Sequence, residues 1–272
     1  MTSGIFSLPP YPVAMGVLNL GAENLPADSS HTLVDKALAL AEQMLVDGAA
    51  VIDVSCGLLR DEVQNLSIEQ ELAILIPVIE NISKRISIPI SVDTSNPEVM
   101  QAAVQAGAKM INDIRALTKL SALQTAAGLG THVCLMHMQS DPVTQQLSAL
   151  DQDIVSVVYN YLAQRIADCV AAGIDPKRII IDPGFGFGKT LPQNLNILRS
   201  LHIFKNLNCP ILVDIAHKSM LGQILDVTIE SRIYGGIAAE VVAVSRGADI
   251  IRSHDVRATV DAIKVIKAIA AM

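Results

Sequence analysis

Short apolar runs rich in β-branched residues alternate with longer amphipathic segments from one end of the chain to the other. The runs occupy residues 13–20, 50–54, 90–93, 110–113, 132–137, 179–182, 211–215 and 249–253. The amphipathic segments lie at 32–47, 68–85, 98–106, 120–129, 154–172, 193–204, 232–246 and 256–271. The runs are apolar throughout rather than at every second position, the pattern of strands covered on both faces by crossover helices. Gly48, Gly107, Gly173 and Gly247 each stand just past a helical segment, where a left-handed residue closes the helix. Eight such units in 272 residues specify an α/β fold, a single (β/α)8 TIM barrel over residues 1–272 read as one domain. A doubly wound open sheet is the alternative with the same pattern. No low-complexity stretch marks a boundary, and the opening residues, with Pro9, Pro10 and Pro12, read as a lead-in.

Composition narrows the function classes. Mean hydropathy is +0.43, yet the most apolar stretches, at 73–79 and 237–244, are short or broken by Pro77 and Glu240. Neither approaches the roughly 18 unbroken apolar residues of a spanning helix, so the hydrophobicity is assigned to a buried core and no membrane partner is expected. Net charge is −7 with no Lys/Arg run, and without clustered cations to replace phosphate counterions no nucleic-acid partner is expected. Cys56, Cys134, Cys169 and Cys209 are widely spaced. That spacing suits free thiols in a reducing cytoplasm better than a disulfide framework.

Polar residues recur where the runs end. The first ends in Asn19, the second in Asp53, the third in Asp93, and the fourth in Asn112 and Asp113. The fifth ends in His137, the sixth in Asp182, the seventh in Asp214 followed by His217 and Lys218, and the eighth in Arg252 and His254. A lone Asp after a strand is ordinarily a helix cap or turn residue, but a barrel brings all eight ends to one rim, where active sites of this fold sit. Asp93, Asn112 and Asp182 suit a flat heterocycle with N–H donors beside a carbonyl, and Lys218 completes that set. Arg252 and His254 are alternate residues and share a direction. With Asn19 they suit a phosphate or diphosphate, and Asn19 equally suits a Mg²⁺ held otherwise by water and substrate oxygens.

The stretch from Asp182 to Thr190 reads Asp-Pro-Gly-Phe-Gly-Phe-Gly-Lys-Thr. It lacks the spacing of a nucleotide-triphosphate loop. Its glycines more naturally let backbone approach a planar ligand. Phe187 reads either as a cover on that ligand or as a core aromatic.

Taken in order, these residues resemble dihydropteroate synthase. The resemblance rests on Met15-Gly16-Val17-Leu18-Asn19, Ile52-Asp53-Val54, Ser91-Val92-Asp93-Thr94 and Ile111-Asn112-Asp113-Ile114, and continues with Leu135-Met136-His137-Met138-Gln139, Asp182 through Lys189, Lys218-Ser219, and Arg252-Ser253-His254-Asp255-Val256. It implies a TIM-barrel transferase, usually a homodimer, that joins p-aminobenzoate to 6-hydroxymethyl-7,8-dihydropterin diphosphate and releases pyrophosphate. By position it implies pterin contacts at Asp93, Asn112, Asp182 and Lys218, with Met136 and Phe187 against the ring and Ser219 beside them. It implies a diphosphate site at Arg252 and His254 with Mg²⁺ on Asn19, and assigns catalysis to Asp93, Lys218, Arg252 and His254. The implied mechanism is dissociative, the diphosphate leaving before the arylamine attacks.

The chain departs from that family in its loops. Gly21-Ala22-Glu23-Asn24-Leu25 replaces Thr-Pro-Asp-Ser-Phe, and Ser55-Cys56-Gly57-Leu58-Leu59-Arg60-Asp61 replaces Gly-Gly-Glu-Ser-Thr-Arg-Pro, retaining only Arg60. Ala216-His217-Lys218-Ser219 replaces Ser-Arg-Lys-Ser. Leu58 and Leu59 remove hydroxyls, and losing a buried hydrogen bond to charge costs about 1.5–3 kcal/mol. Two further readings follow: a pterin-binding homologue that does not condense p-aminobenzoate, and a pterin methyltransferase serving a corrinoid. Arg252 and His254 count against the second, which needs no diphosphate site.

Overall fold

Eight parallel strands carry the architecture in a computed structural model that describes residues 12–21, 32–56, 66–139 and 153–271. They are β1 (Val13–Asn19), β2 (Val51–Ser55), β3 (Ile90–Asp93), β4 (Met110–Asp113), β5 (His132–Met136), β6 (Ile179–Asp182), β7 (Leu212–Val213) and β8 (Ile250–Ser253). Their order is β6-β5-β4-β3-β2-β1-β8-β7. A parallel bridge from Ile181 to Ile211 and a 3.0 Å bond from the Ile181 N–H to the Pro210 carbonyl join the two ends. The barrel reading holds, and the open sheet does not.

Around the strands run α1 (Leu33–Val46), α2 (Ile68–Arg85), α3 (Pro97–Ala106), α4 (Ala122–Leu129), α5 (Ile154–Ala171), α6 (Leu191–Arg199), α7 (Ser219–Leu225), α8 (Ile233–Ser245) and α9 (Val256–Ala270). Their starts are chemically marked. Thr32, Ser67 and Thr190 form capping boxes with Asp35, Gln70 and Gln193 on α1, α2 and α6, satisfying backbone donors that the first turn leaves open. The four helix-ending glycines all adopt positive φ.

Three expectations are corrected. The segment expected over 193–204 is α6 followed by a separate 3₁₀ turn, Leu201–Leu207. Ile197, Leu201 and Phe204 are fully buried, and that spacing fits a continuous helix or a tightened one equally well. The short α7 was not anticipated, having too few turns to show a period. The run expected over 211–215 is a strand only at Leu212 and Val213; Ile211 contributes an isolated bridge to Ile181, its N–H taken by the Asp249 carboxylate at 2.8 Å.

The apolar interior falls into two cores. The larger fills the annulus between strands and helices. The smaller lies inside the barrel and consists of Val13, Met15, Val51, Met110, Cys134, Ile180, Leu212 and Ile250. Alternate strand residues face the same side of a sheet, so two positions further along each strand the chain again points inward. Those positions hold Val17 on β1 and Asp53, Asn112, Met136, Asp182, Asp214 and Arg252 on or just past the others, and Asp93 stands likewise two beyond the fully buried Ser91. An apolar floor therefore supports a polar tier.

Candidate active site

Arg252 is the hub of that tier. Its Nε donates to Asp53 Oδ2 at 2.7 Å, its Nη1 to Asp214 Oδ2 at 2.9 Å and its Nη2 to Asp93 Oδ2 at 3.5 Å. Lys218 Nζ lies 2.9 Å from Asp214 Oδ2 and 4.8 Å from the centre of the Phe187 ring, a cation–π contact. Asn112 donates from Nδ2 to Asp53 Oδ2 at 3.1 Å, which leaves its carboxamide oxygen as an acceptor. One guanidinium thus joins β2, β3, β8 and the residue after β7, and Asp53 carries the link on to β4.

Burial and charge set the acidities here. Asp93 is pushed up to about 7, first by burial and then by the neighbouring Asp53, while Arg252 opposes the rise. Asp182 is pushed up to about 6 by burial against the N–H of Gly184, which it accepts at 2.7 Å. Burial acts in the same direction on Asp214, but Lys218 and Arg252 outweigh it and hold that carboxyl well below the usual range. Burial lowers His254 to about 4, so its imidazole is neutral near pH 7. The His254 ring stacks on His217 at 4.6 Å and 10°, and His217 Nε2 is 3.0 Å from Asp255 Oδ2.

The loop after β6 is rigidly tied. Lys189 is buried and donates from Nζ to the carbonyls of Gly184 at 2.6 Å, His137 at 3.1 Å and Phe187 at 3.4 Å. Its amine is directed into the loop, and burial lowers it to about 7. Gly184 has φ +72°, and a Cβ there would sit 2.0 Å from the His137 carbonyl oxygen. Asn194 accepts the Gly186 N–H at 2.9 Å and returns two donors to the Lys189 and Thr190 carbonyls.

Among the residues singled out from sequence, Asp93, Asn112 and Arg252 meet directly with Asp53 and Asp214, and Lys218 joins them through Asp214. Met136 is buried and pairs in register with Asp182. Phe187 is half-buried. Asn19 is buried, its Oδ1 accepting the Gly21 N–H at 2.9 Å. Ser219 is exposed on the first turn of α7. Arg60 and residues 22–25 and 57–61 lie outside the described residues. Two other strand-end residues leave the set. Asp113 staples its own loop, accepting the N–H groups of Arg115 and Leu117 at 2.8 Å and the Ser95 hydroxyl. His137 packs edge-on against Tyr161, with burial lowering it to about 3.

Sequence reasoning placed Asp53 and Asp214 at strand ends but gave them no role. The available signal was parity, since each stands two residues beyond an inward apolar residue.

Residues 15–254 match the model of a family described as pterin binding enzyme. The chain is 42% identical over 258 residues to the dihydropteroate synthase of Escherichia coli (strain K12), covering 95% of this chain and 92% of that one. It is 39% identical over 259 residues to that of Haemophilus influenzae, covering 95% and 94%. Among solved structures, Xanthomonas albilineans dihydropteroate synthase with 4-aminobenzoic acid superposes with a TM-score of 0.91 at 38% identity, covering 96% of this chain and 94% of that one. The same enzyme in complex with 7,8-dihydropteroate gives 0.88, covering 96% and 95%.

Proposed function

This chain belongs to the pterin binding enzyme family and, within it, to the dihydropteroate synthases, and from that premise we propose how its own side chains carry the reaction. The activity is the condensation of 6-hydroxymethyl-7,8-dihydropterin diphosphate with p-aminobenzoate, a transferase reaction of folate biosynthesis that releases pyrophosphate. Asp182 and the carboxamide of Asn112 take the polar edge of the pterin, Lys218 donates to the ring, and Met136 and Phe187 bound its faces. Arg252 and His254 face the diphosphate, with Ser219 and Arg60 completing the substrate set.

The observation that carries this reading is the charge of the inward tier: Asp53, Asp93 and Asp214 are paired with Arg252 or Lys218, and Asp182 lies within the field of Lys218. Such a floor favours a pterin that is gaining positive charge. When the methylene–oxygen bond breaks, its electrons leave with the diphosphate and the cation is delocalised into the ring beside Asp93. The arylamine nitrogen then attacks the methylene carbon and releases a proton. Fixed dipoles and charges in a water-poor mouth stabilise this separation more than solvent does. His254, neutral, contributes an N–H donor to the leaving group rather than a charge.

The donor set fits Mg²⁺ in the form in which that ion keeps most of its waters and takes phosphate oxygens from substrate. Asn19 offers one buried carboxamide oxygen that retains a lone pair beside its bond from Gly21. Among the described residues no group of three His, Cys, Asp or Glu side chains is arranged for a metal. When bound, Mg²⁺ supplies charge neutralisation to the diphosphate.

The enzyme acts as a single-domain protomer of a cytoplasmic homodimer in this reading. All four cysteines are free, and among the described residues no helix is long and apolar enough to cross a membrane. The α8 segment is apolar on nearly every face, with Tyr234 86% and Val242 41% exposed.

A coupled assay of pyrophosphate release tests the reaction. Release that depends on p-aminobenzoate, with an Asp182→Asn variant losing about 10–100-fold in pterin affinity, is expected. Tight pterin binding without release, given the rewritten loops at 21–25 and 55–61, would instead identify a pterin-binding homologue.

A further inference from the structure

Arg232 holds the backbone from which Lys218 projects. It stands where the 3₁₀ turn Ile229–Ser231 hands over to α8. Its Nη1 donates to the His217 carbonyl at 3.1 Å and, at longer range, to the Lys218 carbonyl at 3.4 Å, while Nη2 reaches the Val227 carbonyl at 3.5 Å. The guanidinium fills space that only glycine leaves open: a Cβ on Gly222 would lie 2.3 Å from Nη2 and 2.7 Å from the guanidinium carbon. The side chains of the turn are held by His254, Asp255 and Asp214, whereas Arg232 is the side chain that binds its backbone carbonyls at 217 and 218. β7 contributes two paired residues, and α7 is seven residues long with no side-chain cap at its start. Within the turn, the Lys218 N–H donates to the Ile215 carbonyl at 3.2 Å.

We propose that Arg232 is a positioning residue for the reaction: by binding the carbonyls of His217 and Lys218 it fixes the turn that carries the Lys218 ammonium to Asp214 and Phe187. This rests on the reading of Lys218 as a pterin contact. The grip requires a rigid fork because Nη1 holds the His217 and Lys218 carbonyls while Nη2 reaches the Val227 carbonyl, and the single ammonium of a lysine does not present two donor atoms in a fixed plane to both sides. A positioning error on the order of 1 Å at a binding group costs up to about 10²-fold.

The test is a double-mutant cycle on the whole protein, with the dissociation constant for 6-hydroxymethyl-7,8-dihydropterin diphosphate measured by calorimetry. Arg232→Ala is expected to weaken pterin binding about tenfold. In the double variant with Lys218→Ala, the added loss should nearly vanish, because both changes remove one function. Gly222→Ala keeps the arginine but displaces its guanidinium, and should reproduce the Arg232→Ala loss. It carries the test if Arg232→Ala does not fold, and Arg232→Lys should rescue binding only in part. Wild-type affinity in both Arg232→Ala and Gly222→Ala overturns the proposal, as do losses that multiply fully in the double variant. Wild-type affinity in Lys218→Ala overturns the pterin-contact reading, and this role with it.

Discussion

One guanidinium, that of Arg252, is shared among Asp53, Asp214 and Asp93, and the unequal sharing separates their chemistry. Asp214 has Lys218 as a second cation and stays ionised. Asp93 holds the longest of the three contacts and titrates near 7. A raised carboxyl is protonated below its own pKa, so the carboxylate that steadies the pterin cation is lost as pH falls through about 7. The free-enzyme profile of kcat/KM against pH should therefore fall below about 7, and more steeply below about 6, where Asp182 also takes a proton. In Asp93→Asn the limb near 7 should disappear, with kcat/KM lower by about 10–100-fold at its plateau. A variant that keeps the limb would assign it to another group.

At the scale of elements, strand parity made much of the site legible. A strand with Met110 or Ile180 facing the barrel interior must also send Asn112 or Asp182 inward, and no further tertiary information is needed for that step. What parity leaves out is the neighbour across the barrel. Asp53 and Arg252 are 199 positions apart, so their pairing depends on ring closure and not on any local pattern. The bond from the Ile211 N–H to the Asp249 carboxylate was hidden for a similar reason, the two residues being 38 positions apart. The β6 loop offers a test of how far backbone geometry supports the site. Gly184→Ala places a methyl against the His137 carbonyl at a φ that side chains disfavour, costing about 1 kcal/mol or more. A fall in Tm of about 2–4 °C or more, with weaker pterin binding, is expected in paired thermal and calorimetric measurements. An unchanged Tm would show that the loop relaxes freely.

Across the whole molecule the two cores divide the labour. The annular core fixes the helices on the ring, and the inner cluster closes the barrel beneath the polar tier, so ligands approach from the rim alone. The outer surface is less self-sufficient: Ile224, Leu225, Tyr234 and Val242 leave α7 and α8 apolar and exposed. Light scattering should give a particle of twice the 29.0 kDa chain, and Tyr234→Asp should shift it toward the monomer while leaving circular dichroism unchanged. A wild-type monomer would remove the homodimer from the account. The loops at 21–25 and 55–61, where the sequence departs most from its relatives, were legible only as differences and lie mostly outside the described residues. The most direct test of the whole account is a crystal structure with 6-hydroxymethyl-7,8-dihydropterin diphosphate bound. The account predicts the bicycle seated above the Met110–Ile180 floor, its polar edge on Asp182 and Asn112 and its methylene turned toward Arg252 and His254. A pterin bound elsewhere, with Arg252 and its carboxylates untouched, would contradict it.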